Sequence, residues 1–164
     1  MKNKKGGFEM SFGMIFSILL IIAFVFVSFY VIKVFLGIKN CGELGRFYEE
    51  LQASIENAKK SPETSQKITS LLPTSIEYMC IVDLNESGKG QRSGLYEELL
   101  LVNRNFAVYP KTKCKGLGGI DLKYANIAGI TQSENPFCIK VEGGKISLRV
   151  EKTLYEKLVR ISRA

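Results

Sequence analysis

Between Phe12 and Ile32 the chain contains no charged residue: Phe, Ile, Leu, Val, Met and Ala fill the stretch, interrupted only by Gly13, Ser17, Ser28 and Tyr30. A bilayer's hydrocarbon core is about 30 Å thick and a helix rises about 1.5 Å per residue, so a run of this length is what a helix needs to cross it. A buried helix of a soluble core is rarely apolar on every face for so many turns. A cleaved secretory signal has an apolar region of only about 7 to 15 residues followed by a small-residue cleavage site. Here the run continues into Tyr30-Val31-Ile32-Lys33-Val34-Phe35. We therefore expect a basic leader at 1–11 and a transmembrane helix at 12–36, with everything after it carried by that anchor.

Lys2, Lys4, Lys5 and the amino terminus precede the run, opposed only by Glu9. Positive charge on a short flanking segment stays in the cytoplasm, which places the C-terminal portion outside. Lys33, Lys39 and Arg46 on the other side reduce the asymmetry, and Lys33 is close enough to the end of the span to snorkel. The cysteines point the same way. Cys41, Cys80, Cys114 and Cys138 all follow the apolar run, are even in number and lie tens of residues apart. Zinc sites use close Cys or His pairs, and the chain has no His, so the spacing reads as a disulfide framework rather than a metal site. Bridged cysteines imply an oxidising compartment; the competing reading is four buried free thiols in a cytoplasmic domain. Four cysteines allow three pairings. We expect Cys80 with Cys114 and Cys41 with Cys138, because Cys80 falls early in one strand-like segment and Cys114 just after another.

The formal net charge of +7 invites a nucleic-acid reading, but residues 40–164 hold 18 Lys and Arg against 15 Asp and Glu, a net of only +3. Those charges are interspersed, with mild basic clusters at Lys111, Lys113 and Lys115 and at Lys157, Arg160 and Arg163. Solvated surface explains them better than a nucleic-acid partner does, with at most a weak attraction to anionic lipid or glycan.

After the anchor, Leu44, Phe47, Tyr48, Leu51, Ile55 and Ala58 recur at helical spacing, opposite Glu49, Glu50, Glu56 and Lys59. This predicts an amphipathic helical extension over 37–60, with Gly37, Gly42 and Gly45 at the join as sites of a bend or break and Ser61-Pro62 as its end. The remainder, 61–164, reads as an α+β head. Strand composition marks Ile76–Leu84, Asn105–Tyr109 and Phe137–Val141. Ser93 is placed to cap a helix carrying Leu95, Leu99 and Leu100. Glu142-Gly143-Gly144 predicts a hairpin turn leading into a strand at Lys145–Glu151, with Ile146, Leu148 and Val150 inward. A final amphipathic helix is expected over Leu154–Ile161.

Asn85-Glu86-Ser87 fits the N-glycosylation acceptor pattern within a turn-rich loop, and Asn85 is a candidate acceptor. Lys111–Gly119 reads as a connector, since Gly118-Gly119 lacks the GK[ST] signature of a phosphate loop. No GxSxG or HExxH motif is present, and without His the commonest general base is missing. Glu49-Glu50 and Glu97-Glu98 are adjacent carboxylates, which on a helix diverge by about 100° and do not face one another. We expect no catalytic residue, no cofactor and no metal.

The order of parts, a leader ending Lys4-Lys5-Gly6-Gly7, then Phe8-Glu9, an unbroken apolar helix, an amphipathic extension and a cysteine-bearing head, resembles the type IV pilin-like superfamily, including its archaeal members. That resemblance implies a membrane peptidase that cuts near Gly6 or Gly7, leaving Phe8 as the first mature residue and Glu9 as the acidic residue near the new terminus. Bacterial members place this glutamate fifth in the mature chain, whereas a cut after Gly7 puts Glu9 second. It further implies that the apolar helices self-associate into a filament core through assembly machinery, with the heads outside. Gly13, Ser17, Ala23 and Ser28 would then allow close helix approach.

The expected architecture is an α+β protein: an N-terminal transmembrane helix, extended by an amphipathic helix that packs on a small, mostly antiparallel sheet in a disulfide-stabilised head. The expected function is a pilin-like structural subunit partnered by the lipid bilayer. The alternatives are a non-polymerising surface protein whose head binds a protein or glycan, and an accessory subunit of a membrane complex.

Overall fold

The computed structural model describes residues 12–164. Contacts divide the chain into two units, Met1–Lys39 and Asn40–Ala164. Residues 40–60, assigned above to a separate extension, belong to the same compact unit as the head.

Helix α1, Phe12–Lys60, is helical throughout, Gly37, Gly42 and Gly45 included. The described part of the first unit, residues 12–39, is this helix alone, and every residue of it is exposed. It is long and apolar enough to cross a membrane.

The second unit opens with the rest of α1, whose buried residues are Leu44, Phe47, Tyr48, Leu51, Ile55 and Ala58. Their i, i+3, i+4 spacing gathers them on one face. The helix stops at Lys60, and the Lys152 ammonium donates to the carbonyls of Lys59 and Ser61, both at 2.7 Å, satisfying acceptors that a helix end leaves open.

Seven strands follow in two antiparallel sheets. Strands β1 (Thr64–Leu71), β6 (Lys145–Lys152) and β7 (Arg160–Arg163) form the first in the order β1-β6-β7. Strands β2 (Tyr78–Ile81), β3 (Phe106–Tyr109), β4 (Gly119–Ile120) and β5 (Phe137–Lys140) form the second in the order β4-β3-β2-β5. A 3-10 turn at Ser93–Leu95 leads into α2 (Tyr96–Leu100), and α3 is a single turn at Ile127–Ile130.

One apolar cluster joins α1 to both sheets: Phe47 and Leu51 of the helix share it with Met79 and Ile81 of β2, Phe106 and Val108 of β3, and Ile146, Leu148 and Val150 of β6. Phe106 stacks on Phe47 at 6.4 Å and meets Tyr48 edge-on at 6.0 Å. Alternation along β2 and β3 sends Cys80, Val82 and Ala107 to the opposite face, where they pack with Tyr96 and Leu99 of α2 and with Cys138. The second sheet is thus buried on both faces.

Several expectations are corrected. The Gly143-Gly144 turn does form, with both glycines at positive φ (58° and 72°) and a Glu142–Lys145 bridge, but its flanking strands β5 and β6 part into different sheets, so it is a corner rather than a hairpin within one sheet. No helix covers Leu154–Ile161: Leu154 and Leu158 are exposed, whereas Val159 and Ile161 are buried on either side of exposed Arg160, which is strand periodicity, and β7 pairs with β6. Ser93 caps nothing; it lies inside the 3-10 turn, and α2 begins without a side-chain cap. Strand β1, unanticipated, pairs along its whole length with β6.

Candidate functional site

On α1, Gly13, Ser17 and Ser28 fall within an arc of about 60°, whereas Ala23 lies about 120° from Ser17, at about 100° per residue. The structure therefore groups three of the four small residues on one face and separates Ala23. The two hydroxyls do not project as free donors: Ser17 donates to the Gly13 carbonyl and Ser28 to the Phe24 carbonyl, each at 2.8 Å, so this face can meet lipid or another helix without an unpaired polar group. A shallow groove along the helix is lined by Ile21, Phe24, Val25, Ser28, Phe29 and Ile32. The leader residues Gly6, Gly7, Phe8 and Glu9 lie outside the described residues.

The cysteines form two disulfides, Cys41–Cys114 and Cys80–Cys138, which corrects the expected pairing. Cys80 of β2 stands directly across from Cys138 of β5 in the strand register, whereas its partner on β3 is Ala107. Cys114 is seven residues beyond Ala107 in the loop after β3, where it reaches α1 instead. Two bridges of this kind suggest an oxidising, extracytoplasmic compartment.

The loop bearing Cys114 is fixed to α1 at a second point. Tyr48 donates its hydroxyl to the Leu117 carbonyl at 3.0 Å, and burial raises its phenol well above the ordinary range. Within the loop, Cys114 N–H donates to the Thr112 hydroxyl and Leu117 N–H to the Cys114 carbonyl. Lys111, Lys113 and Lys115 are exposed along it.

Asn85 and Ser87 are exposed in the turn after β2. That turn is held from beneath by Asn135, which is fully buried: its Oδ1 accepts from Asp83 N–H at 3.0 Å and its amide donates to the carbonyls of Asp83, Glu86 and Ser87. The Tyr96 hydroxyl donates to the Glu86 carbonyl as well. Asp83 in turn accepts the Asn85 N–H at 2.9 Å. Asn135 was not singled out from the sequence, because an Asn before a Pro reads only as a turn signal and its burial depends on long-range packing.

The adjacent carboxylates sit apart from any common cleft. Glu50 is held below the usual carboxylate range by a hydrogen bond from Arg46 and another from Ser70, the second linking α1 to β1; Glu49, Glu97 and Glu98 are exposed. No group of three or more His, Cys, Asp or Glu among the described residues is placed to hold a metal ion. Comparison with protein-family models, curated proteins and solved structures gives no match.

Proposed function

We propose that the protein is a single-span membrane protein with its N-terminus cytoplasmic and its disulfide-bonded head outside, and that it serves as a pilin-like structural subunit. The observation that carries this reading is the division of labour along α1. From Phe12 to Ile32 the helix is uncharged, mostly apolar and exposed all round, so it needs a hydrophobic medium; from Leu44 to Ala58 it supplies one wall of the head's core. An anchor and a head that share a helix can exchange lipid for neighbouring anchors without unfolding the head. In the assembled state the exposed apolar surface would be covered by copies of itself, packed through the Gly13, Ser17 and Ser28 face.

The test is electron microscopy of the sheared surface fraction of the native cells, with the chain identified by mass spectrometry and compared with cells lacking it. Filaments that contain this chain as their major component and vanish on its deletion are the expected result. Recovery of the chain only as dispersed single-span protein in the membrane fraction would replace the structural subunit by a non-polymerising surface protein.

A further inference from the structure

We propose that the loop around Lys111, Lys113 and Lys115 is a lipid-docking collar that binds the anionic phosphate headgroups of the bilayer crossed by α1. The proposal rests on the reading of α1 as a membrane span.

Chain connectivity carries the first part of the argument. Cys41 is five residues past Leu36, the end of the expected span, a rise of about 7.5 Å in a helix. The hydrocarbon core is about 30 Å thick and the bilayer with its headgroups about 40–45 Å, so each headgroup layer begins where the span ends and extends over about that distance. The Cys41–Cys114 disulfide holds the two Cα atoms 5.5 Å apart. It therefore tethers a loop from the middle of the head's sequence to a point only five residues along the chain from the end of the expected span, a contour of at most about 18 Å, with Lys113 and Lys115 as the immediate neighbours of the bridged cysteine.

Charge carries the second part. Lys111, Lys113 and Lys115 are all exposed, and none has an ion-pair, hydrogen-bond or ring partner among the described residues. Other cations of the head are paired, Arg46 with Glu50, Arg104 with Asp121 and Arg163 with Glu134, and exposed lysines without a partner, such as Lys67 and Lys123, are isolated along the chain rather than clustered. Three unpaired ammonium groups within five residues, on a loop fixed by a disulfide and by the Tyr48–Leu117 hydrogen bond, form a preorganised cationic edge. Lipid phosphate is the anion that a span places beside it; the leaflet here is the outer one, and each lysine near an anionic bilayer surface gains about 1 kcal/mol from that surface's potential.

The full chain in lipid nanodiscs tests this directly. Discs are made of phosphatidylcholine alone or with added phosphatidylglycerol, retention of the chain in the disc is scored by co-elution, and lysine reactivity toward an amine-acylating reagent is read by mass spectrometry. Lys111, Lys113 and Lys115 should each react about fivefold more slowly in the anionic discs, the factor that ~1 kcal/mol per lysine at an anionic surface implies. Lys67 and Lys140 serve as references and should not change. The protection should vanish near 1 M salt, where the Debye length falls to about 3 Å.

Retained chain with equal reactivity in both discs overturns the collar and leaves the span intact. Chain that is not retained overturns the span and the collar together. Protection that persists unchanged at high salt overturns the lipid-phosphate assignment in favour of burial against protein. In a Lys111→Gln, Lys113→Gln, Lys115→Gln variant, retention should persist while enrichment of phosphatidylglycerol over phosphatidylcholine around the purified chain is lost; undiminished enrichment contradicts the proposal.

Discussion

Cys80 and Cys138 occupy directly opposed positions on β2 and β5, so the register that pairs the two strands also forms their bridge. The other disulfide has a different task, tying the loop after β3 to α1 through Cys41 and Cys114. Non-reducing peptide mapping should recover Cys41 with Cys114 and Cys80 with Cys138, and no Cys80–Cys114 peptide. With partners 58 and 73 positions apart in sequence, each bridge stabilises the head by about 4 kcal/mol on the chain-entropy account. A Cys80→Ala, Cys138→Ala variant should show that loss in urea unfolding; a change below ~1 kcal/mol would mean that the denatured chain gains little freedom from its removal.

Asn135 should be the most sensitive polar position in the head. Replacing it by Ala strands the Asp83 N–H and removes the donor shared by the Asp83, Glu86 and Ser87 carbonyls. An unsatisfied buried group costs about 1–3 kcal/mol, so Asn135→Ala should destabilise by roughly 3 kcal/mol and speed amide exchange at Asn85. A near-neutral effect would show that water replaces the side chain.

Tyr48 gives the head an alkaline sensitivity. Its phenol pKa is raised in the folded state by burial, above an unfolded value near 10. The stability it contributes is fully present below pH about 10 and is lost as pH rises from there toward the folded value, because only the unfolded chain then releases the proton readily. Tyr48→Phe should cost about 1 kcal/mol at neutral pH through the lost bond to the Leu117 carbonyl and should flatten the fall in stability above pH about 10. Chemical unfolding at a series of pH values reads both effects; a parallel alkaline fall in the two proteins contradicts the assignment to Tyr48.

The features legible in the sequence are those that local patterning determines. The uncharged run after Phe12 and the spacing of Leu44, Phe47, Tyr48, Leu51, Ile55 and Ala58 marked α1 because helical periodicity is a property of the segment itself. Ile146, Leu148 and Val150 likewise marked β6. Strand β1, Thr64–Leu71, is mostly exposed and polar, so its strand state follows from pairing with β6 rather than from any apolar alternation. At Leu154–Ile161 the apolar residues suggested a helix, but Val159 and Ile161 are the ones that enter the core, at period two. The disulfide pairing was not legible because it depends on strand register: of the two neighbours of β2, β3 sets Ala107 opposite Cys80 and β5 sets Cys138 there.

The filament-subunit account stands most directly on processing of the leader. Intact mass and N-terminal sequencing of the chain from its native membrane or surface fraction, before and after reduction, measure it in one experiment. The account predicts a mature chain beginning at Gly7 or Phe8 and a gain of four hydrogens' mass on reduction, matching two disulfides. A chain that retains Lys2, Lys4 and Lys5, with or without Met1, would contradict pilin-type maturation and leave a simple single-span anchor.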